Sequence, residues 1–313
     1  DNHSLNFLLG QEGIDYRSTG FQVTTQGQNN DRLTNLLSGT RAISWPDSNS
    51  AYAYLSFFFR GEYNYKELYY AEVAARTDAS SRFGKDHRWG MFWSLGFMWN
   101  IKNEAFLKDI EWLTNAQIKL STGTSGNSEI PYYDHLALVA GDANYNDEAG
   151  IYPKQSGNEE LSWEQTWANN IGLTLGIFNR VNLNVDFYHK KTTNMLMLVP
   201  QSYAITGVGN RWDNIGAMMN RGVEIAMDGD VVRTKDFTWN LSANVSYNKN
   251  KLLELYNGVE EYVNSTTGLK YVVGHPVHEY YMNRYAGVNP ANGDALWYTA
   301  DGELTTEYRD EDK

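Results

Sequence analysis

Apolar and polar side chains alternate with a period of two through much of this chain, and the stretch 170–188 is the plainest case. Ile171, Leu173, Leu175 and Ile177 point one way, Asn170, Gly172, Thr174 and Gly176 the other. After a tight Phe178-Asn179-Arg180 connection the pattern resumes, with Val181, Leu183, Val185 and Phe187 against Asn182, Asn184, Asp186 and Tyr188. Successive side chains of a strand face opposite sides, so this stretch predicts a hairpin with one apolar and one polar face. Each strand is about 9–11 residues, the length that crosses a bilayer when tilted. A soluble sandwich has the same period, so the hairpin alone leaves both readings open.

The rest of the chain repeats the unit. Leu5, Phe7 and Leu9 begin it, and 11–50 follows as a polar segment with a short helix expected over 31–37, capped by Asn30 or Asp31. Strands are predicted at 52–63 and 68–76, then at 91–101, where Trp93, Leu95, Phe97 and Trp99 share a face. Ala116, Ile118 and Leu120 mark another, and 222–231 precedes a last strand over 237–248. There Phe237, Trp239, Leu241, Ala243 and Val245 are expected to face lipid, with Asn240, Ser242 and Asn244 facing inward. The connectors at 64–67, 178–180 and 233–236 are tight, while those at 11–50, 77–90, 122–166 and 192–213 are long. Only 102–115 blurs the division. Short turns on one side and long loops on the other are the habit of outer-membrane barrels, and a sandwich has no physical reason to sort its loops this way. The pattern predicts an all-β, antiparallel transmembrane β-barrel.

Composition narrows the alternatives. No apolar run approaches the roughly 18 residues of a membrane helix, which excludes a helical membrane protein. The formal net charge of -12 provides no basic stripe to displace counterions from phosphates, and this argues against a nucleic-acid partner. Aromatic residues make up 14%, with 22 Tyr and 10 Trp, a supply that suits interfacial girdles or a carbohydrate-stacking surface. With 0 Cys there is neither a disulfide framework nor a thiolate nucleophile. No charged-then-apolar leader opens the chain, which begins in mid-pattern at Asp1 and ends at Lys313 without a terminal strand. A fragment of a longer protein is the expectation.

No catalytic constellation emerges. Glu159, Glu160 and Glu164 supply carboxylates, but strand-and-loop spacing gives no reason to set two of them across a sugar. His275 and His278 have metal-ligand spacing without a third ligand, so no metal site is assigned. Asp142 to Glu148 alternates oxygen ligands like a calcium loop but lacks the glycine and distal glutamate at the required offsets. No phosphate-cradling glycine loop or dinucleotide fingerprint is present, and no cofactor is expected. Tyr132, Tyr133, Trp163, Tyr203 and Trp212, on the long outer loops, are the substrate-contact candidates, because rings stack on sugar faces and contact peptides amphipathically. Half or more of such rings serve as girdle or loop packing. The reading of another class is a secreted soluble β protein that binds or hydrolyses carbohydrate, and a passive porin is a third.

Residues at the loop mouths carry a family resemblance. R-T-D-A-S-S-R-F-G (76–84) followed by R-W-G-M-F-W-S (88–94) resembles the R-x-D-G-S-S-R-F-G…R-W-G-x-F-P-S signature of SusC/RagA-like TonB-dependent transporters, departing at Ala79 and Trp93. I-K-L-S-T-G-T-S-G-N (118–127), L-S-W-E-Q-T (161–166), N-I-G-A-M-M-N-R-G-V-E (214–224), Y-N-K-N-K (247–251) and A-G-V-N-P-A-N-G (286–293) follow in that family's order. Trp163 lies within one of these motifs. The resemblance implies a plugged 22-stranded barrel, about half of it, roughly ten to twelve strands, in 1–313, the N-terminal plug and the last strands having no counterpart here. It also implies active import of oligosaccharide or peptide across the bacterial outer membrane, without enzymatic chemistry. The partners implied are a SusD-like surface lipoprotein as lid, the TonB complex through the plug, and outer-membrane lipid.

Overall fold

The computed structural model describes residues 2–44, 46–146, 148–264, 268–277, 279–309 and 312. Nine long strands form one antiparallel sheet. They are β1 (His3–Phe21), β2 (Asp47–Tyr65), β3 (Tyr69–Ser80), β4 (Trp89–Asn100), β5 (Leu113–Asn127), β6 (Glu164–Ile177), β7 (Val181–Thr193), β8 (Ala217–Arg233) and β9 (Thr238–Glu254). Each pairs with the next in this series, so the sheet is a pure meander with β1 and β9 at its open edges. Short hairpins decorate the connectors, the largest pairing Leu138–Tyr145 with Glu148–Gln155. Beyond β9 the chain forms two small three-stranded sheets. Among the described residues no helix is long and apolar enough to cross a membrane.

The register gathers the apolar positions on one face. Ile118, Leu173, Val185, Ile225 and Val245 lie side by side across β5 to β9, and Leu9, Phe59, Ala75 and Trp93 do the same across β1 to β4. This face is exposed: Leu9 is 80% accessible and Val245 67%. An exposed apolar face of this extent is what a lipid-facing sheet presents. The other face is wired by polar side chains. Thr174 donates to Asn184 Oδ1 at 2.8 Å, Tyr188 donates to Asn248 Oδ1 at 3.0 Å, and Asn250 donates to Asn220 Oδ1 at 2.8 Å.

Aromatic rings mark the limits of the apolar band. Tyr69 stacks between Tyr65 and Trp99 at one end, where Trp112 also meets Phe178, and Phe57 stacks on Trp89 at the other. From Trp89 to Trp99, at about 3.3 Å per residue and a tilt near 45°, the wall stands about 23–25 Å tall, the height of an outer-membrane apolar band.

Strand lengths differ from the expectation. The alternation predicts about 9–11 residues for the strands of the 170–188 hairpin and spans 52–63 and 237–248 elsewhere, whereas the strands run from 12 to 19 residues. The first eleven residues of the polar segment 11–50, up to Phe21, belong to β1, with Arg17 opposite Ala51 and Phe21 opposite Asp47. Above the membrane both faces meet water, so the alternation fades while the backbone ladder continues. The sheet has nine strands where ten to twelve are expected, since the segment beyond β9 forms only small local sheets. The helix expected over 31–37 is reduced to a 3-10 turn at Leu36–Ser38. Asn30 does cap a turn, accepting from Arg32 N, but Leu33, Leu36 and Leu37 find nothing to pack against, so the turn does not propagate.

The connectors sort by length with one exception, 101–112. Turns 66–68, 178–180 and 234–237 lie at one end, and 22–46, 81–88, 128–163 and 194–216 at the other. The blurred connector, 101–112, lies at the short-turn end and is folded tightly. Lys102 Nζ donates to the carbonyls of Leu107, Lys108 and Ile110, and Glu104 Oε1 accepts from Tyr69 Oη and Trp99 Nε1. At two of the tight turns non-glycine pairs (Lys66 and Glu67, Phe178 and Asn179) adopt positive φ, the hand that matches hairpin twist.

Facing is testable on β9. With cysteines placed singly at 240–245, lipid-soluble thiol reagents should label positions 241, 243 and 245, and impermeant reagents 240, 242 and 244. Indistinguishable labelling of the two sets would overturn the assignment.

Candidate functional site

The polar face carries its densest chemistry near the long-loop end of β1 to β3. Tyr16 of β1 and Tyr52 of β2 are cross-strand partners with ring centroids 4.9 Å apart, and Tyr54 sits two residues along at 5.5 Å from Tyr52. Loop residue Tyr132 closes over them, its centroid 4.9 Å from Tyr52. The guanidinium of Arg82 lies 4.9 Å from the ring centroids of both Tyr52 and Tyr132 and 5.9 Å from that of Tyr54. Its Nη1 donates to the carbonyls of Ser128 and Ile130 at 3.3 and 3.0 Å. One arginine thus fixes the 128–163 loop to the barrel wall through ring contacts and hydrogen bonds together. Tyr133 reinforces the joint by accepting from Ala51 N at 2.8 Å.

Below the tyrosines Arg76 donates to Asp78 at 2.6 Å and to Glu12 and Ser56 at 2.9 Å. With Tyr52, Tyr54 and Arg82 these groups line a cleft of about 450 Å³ open to the interior. Its rings offer stacking faces and its edges both donors and acceptors, which suits a hydrated, polar, bulky ligand.

An apolar plug lies beside the cleft. Phe83, Phe92, Ile130, Leu161 and Trp163 are buried together, with Trp212 against them. Trp163 is 8% accessible, meets Phe83 and Phe92 at 5.4 Å and donates from Nε1 to the Arg88 carbonyl at 2.7 Å. Gly84 permits the approach of the 157–161 segment, because a Cβ there would lie 2.1 Å from the Glu159 carbonyl oxygen. Asn214 ties the next loop in, accepting from Ser162 N at 2.7 Å and donating to Ser162 O at 2.8 Å. The recurring loop-mouth motifs are therefore packing devices that hold separate loops together. Nearby, burial holds the Asp134 carboxyl above and the His135 imidazole below their ordinary values, so His135 is neutral at pH 7.

Of the sequence candidates, Tyr132 and Tyr133 join the tyrosine group, Trp163 and Trp212 share the apolar plug, and Tyr203 stands apart at 71% accessibility on a one-turn helix, Tyr203–Thr206. Tyr16, Tyr52, Tyr54 and Arg82 escaped the sequence reading. Their signal was present, since Tyr52 and Tyr54 interrupt an otherwise small polar face between Ser50 and Ser56. The three glutamates are dispersed: Glu164 accepts from Leu196 N and Asn127 Nδ2, and Glu160 pairs with His87. Among the described residues no group of three or more His, Cys, Asp or Glu could hold a metal ion. His278, Asp147 and the side chain of Asp142 lie outside the described residues.

Arg82→Ala removes two charge-assisted hydrogen bonds and three ring contacts. Allowing about 1.5–3 kcal/mol per hydrogen bond to a charged group, the loop attachment should lose about 3 kcal/mol or more. Protease nicking within 128–163 should then become at least tenfold faster while β6 and β7 stay protected. Unchanged nicking would show that Arg82 is not the tether.

The arrangement is the wall and long-loop end of an outer-membrane β-barrel. Residues 1–311 match the family described as TonB dependent receptor-like, beta-barrel, and the chain belongs to it. The TonB-dependent receptor SusC of Bacteroides thetaiotaomicron is 30% identical over 317 residues, covering 94% of this chain and 31% of SusC. TonB-dependent receptor P39 of Formosa agariphila is 37% identical over 207 residues, 66% of this chain and 20% of the receptor. Among solved structures, the RagAB peptide importer in its closed-closed state superposes with a TM-score of 0.83 at 36% identity, covering 100% of this chain and 35% of that one. The outer membrane transporter YddB of Escherichia coli, 11% identical with a TM-score of 0.58, shares the fold. The chain thus spans about a third or less of the length of these relatives. Its place is the bacterial outer membrane.

Proposed function

We propose that this chain forms the barrel wall and extracellular mouth of an importer that takes a bulky polar nutrient, an oligosaccharide or a peptide, across the outer membrane. The observation that carries this reading is the cleft of tyrosines and arginine on the inner face at the long-loop end, where an incoming ligand first meets the barrel. Membership in the family supports energy coupling through TonB, which this chain would receive through a plug, with a surface lipoprotein closing the mouth from outside. The name of the RagAB peptide importer favours neither ligand class here, because stacking rings serve both. No bond-making chemistry is assigned to the chain.

Two measurements test the proposal. An epitope tag beside Asn144 should stain on intact cells, and one at Asn179 only after permeabilisation; the reverse result would invert the mouth. Deleting the gene should abolish growth on one nutrient class supplied as sole source, and inactivating TonB should do the same. Uptake that persists without TonB would establish the passive-pore reading instead.

A further inference from the structure

The outward face changes character abruptly at its long-loop end. The row Phe187, Val223 and Tyr247 across β7, β8 and β9 is followed, one outward position higher, by His189, Arg221 and Lys249. The next row brings Lys191 and Lys251 on either side of Met219. Arg221 and Lys249 are direct cross-strand partners, an arrangement that destabilises a sheet unless an anion lies between them. From these rows down to the short turns, no Asp or Glu occupies an outward position of β6 to β9. Among the described residues no ion pair engages these cations, whereas at the matching end of β1 the outward Arg17 is paired with Asp15 at 3.2 Å. The inner-facing Lys190 turns instead over the Tyr188 ring.

We propose that this row is a binding site for the phosphate groups of an anionic glycolipid in the outer leaflet. The inference rests on the outer-membrane placement and goes beyond the import reading, since the site is on the lipid side of the wall. Neighbouring strands stand about 4.8 Å apart and successive outward positions about 6.8 Å, so one phosphate can sit between Arg221 and Lys249 with Lys191 and Lys251 within reach of it. The rows immediately below, Phe187, Val223 and Tyr247, then Val185, Ile225 and Val245, give the acyl chains an apolar surface continuous with the headgroup site. Cations bordering an apolar band are where a membrane protein meets charged headgroups, and the negative lipid repays the repulsion that the bare pair carries. The motif Y-N-K-N-K acquires a physical reading from this. Tyr247, Lys249 and Lys251 point to lipid, while Asn248 and Asn250 point inward and hydrogen-bond Asn220 at 3.3 and 2.8 Å.

The test uses the full-length protein purified in neutral detergent, with folding of every variant checked by heat-modifiable mobility. Bisphosphorylated lipid A is added, and the retained lipid is counted by native mass spectrometry. The wild type should retain it, and Arg221→Gln combined with Lys249→Gln should reduce retention at least tenfold, while Lys190→Gln leaves it unchanged. Dephosphorylated lipid A should be retained no better by the wild type than by the double variant. Equal retention of bisphosphorylated lipid A by wild type and double variant overturns the site. Displacement of the lipid by millimolar inorganic phosphate overturns its assignment to a lipid headgroup. Arg221→Lys is the conservative control, and it should keep most of the retention.

Discussion

Residues 1–313 produced alone should not give a stable soluble monomer: they should aggregate, or enter micelles without the heat-modifiable compactness of a folded barrel. The reason is the open sheet. Among the described residues no further strand pairs with β1 or β9, and apart from Leu252, which bonds to Gly274 and His275, their edge donors and acceptors lack a partner strand; in hydrocarbon each such group costs several kcal/mol. The outward face adds an apolar surface that spans all nine strands, including Phe7 at 66%, Leu9 at 80% and Val245 at 67% exposure. That is far more than the few hundred Å² a soluble monomer exposes. Among the described residues two clusters of buried apolar groups form, around Trp163 and around Leu252. Such clusters can hold loops but cannot offset an uncovered sheet. The measurement is size-exclusion chromatography with light scattering and a thermal melt in detergent-free buffer. A monodisperse monomer with a cooperative transition would show that the apolar face closes on a core of its own and would overturn its assignment to lipid.

The sheet was legible because its membrane part obeys a two-residue period that any slip would destroy. Val181 to Phe187 and Leu241 to Val245 assign themselves to a face without help from the structure. Legibility ended where the physical cause of alternation ended. Above the apolar band β1 continues as Asp15, Tyr16 and Arg17, polar or amphipathic on both faces, yet it remains paired through Phe21. The mouth was half legible. Aromatic residues in the loops drew attention to Tyr132 and Tyr133, but their strand partners Tyr16 and Tyr52 are distant in sequence and meet only through the β1–β2 register. Arg82 was visible only as a letter of a motif, because its role depends on three rings and two carbonyls brought in from separate segments. Trp163 shows the converse. It has the composition of a ligand contact and lies enclosed among Phe83, Phe92 and Leu161.

Arginine scanning along the outward face of β8 and β9 should reveal a depth profile, with its maximum at Ile225 and Val245. These two residues are direct partners, and their row lies midway between the row of Val181, Gly229 and Leu241 beside a short turn and the cationic row of Arg221 and Lys249. Ile225→Arg in the complete barrel should cost about 2–4 kcal/mol, the penalty for a guanidinium at the bilayer midplane. Leu241 is the position the alternation singles out for such a test, but it stands opposite Gly229 near the turn end, where an arginine side chain can reach the interface. Leu241→Arg should therefore cost only about 0–1 kcal/mol. Native Arg221, two outward positions above Ile225, marks where the penalty vanishes at the other boundary. The readout is equilibrium unfolding of each variant in lipid vesicles, with the wild type as reference. Equal costs at Ile225 and Leu241 would mean that the sheet does not cross the bilayer at this register. A larger cost at Leu241 would move the midplane toward the turns and carry the row of Arg221 and Lys249 out of the headgroup layer.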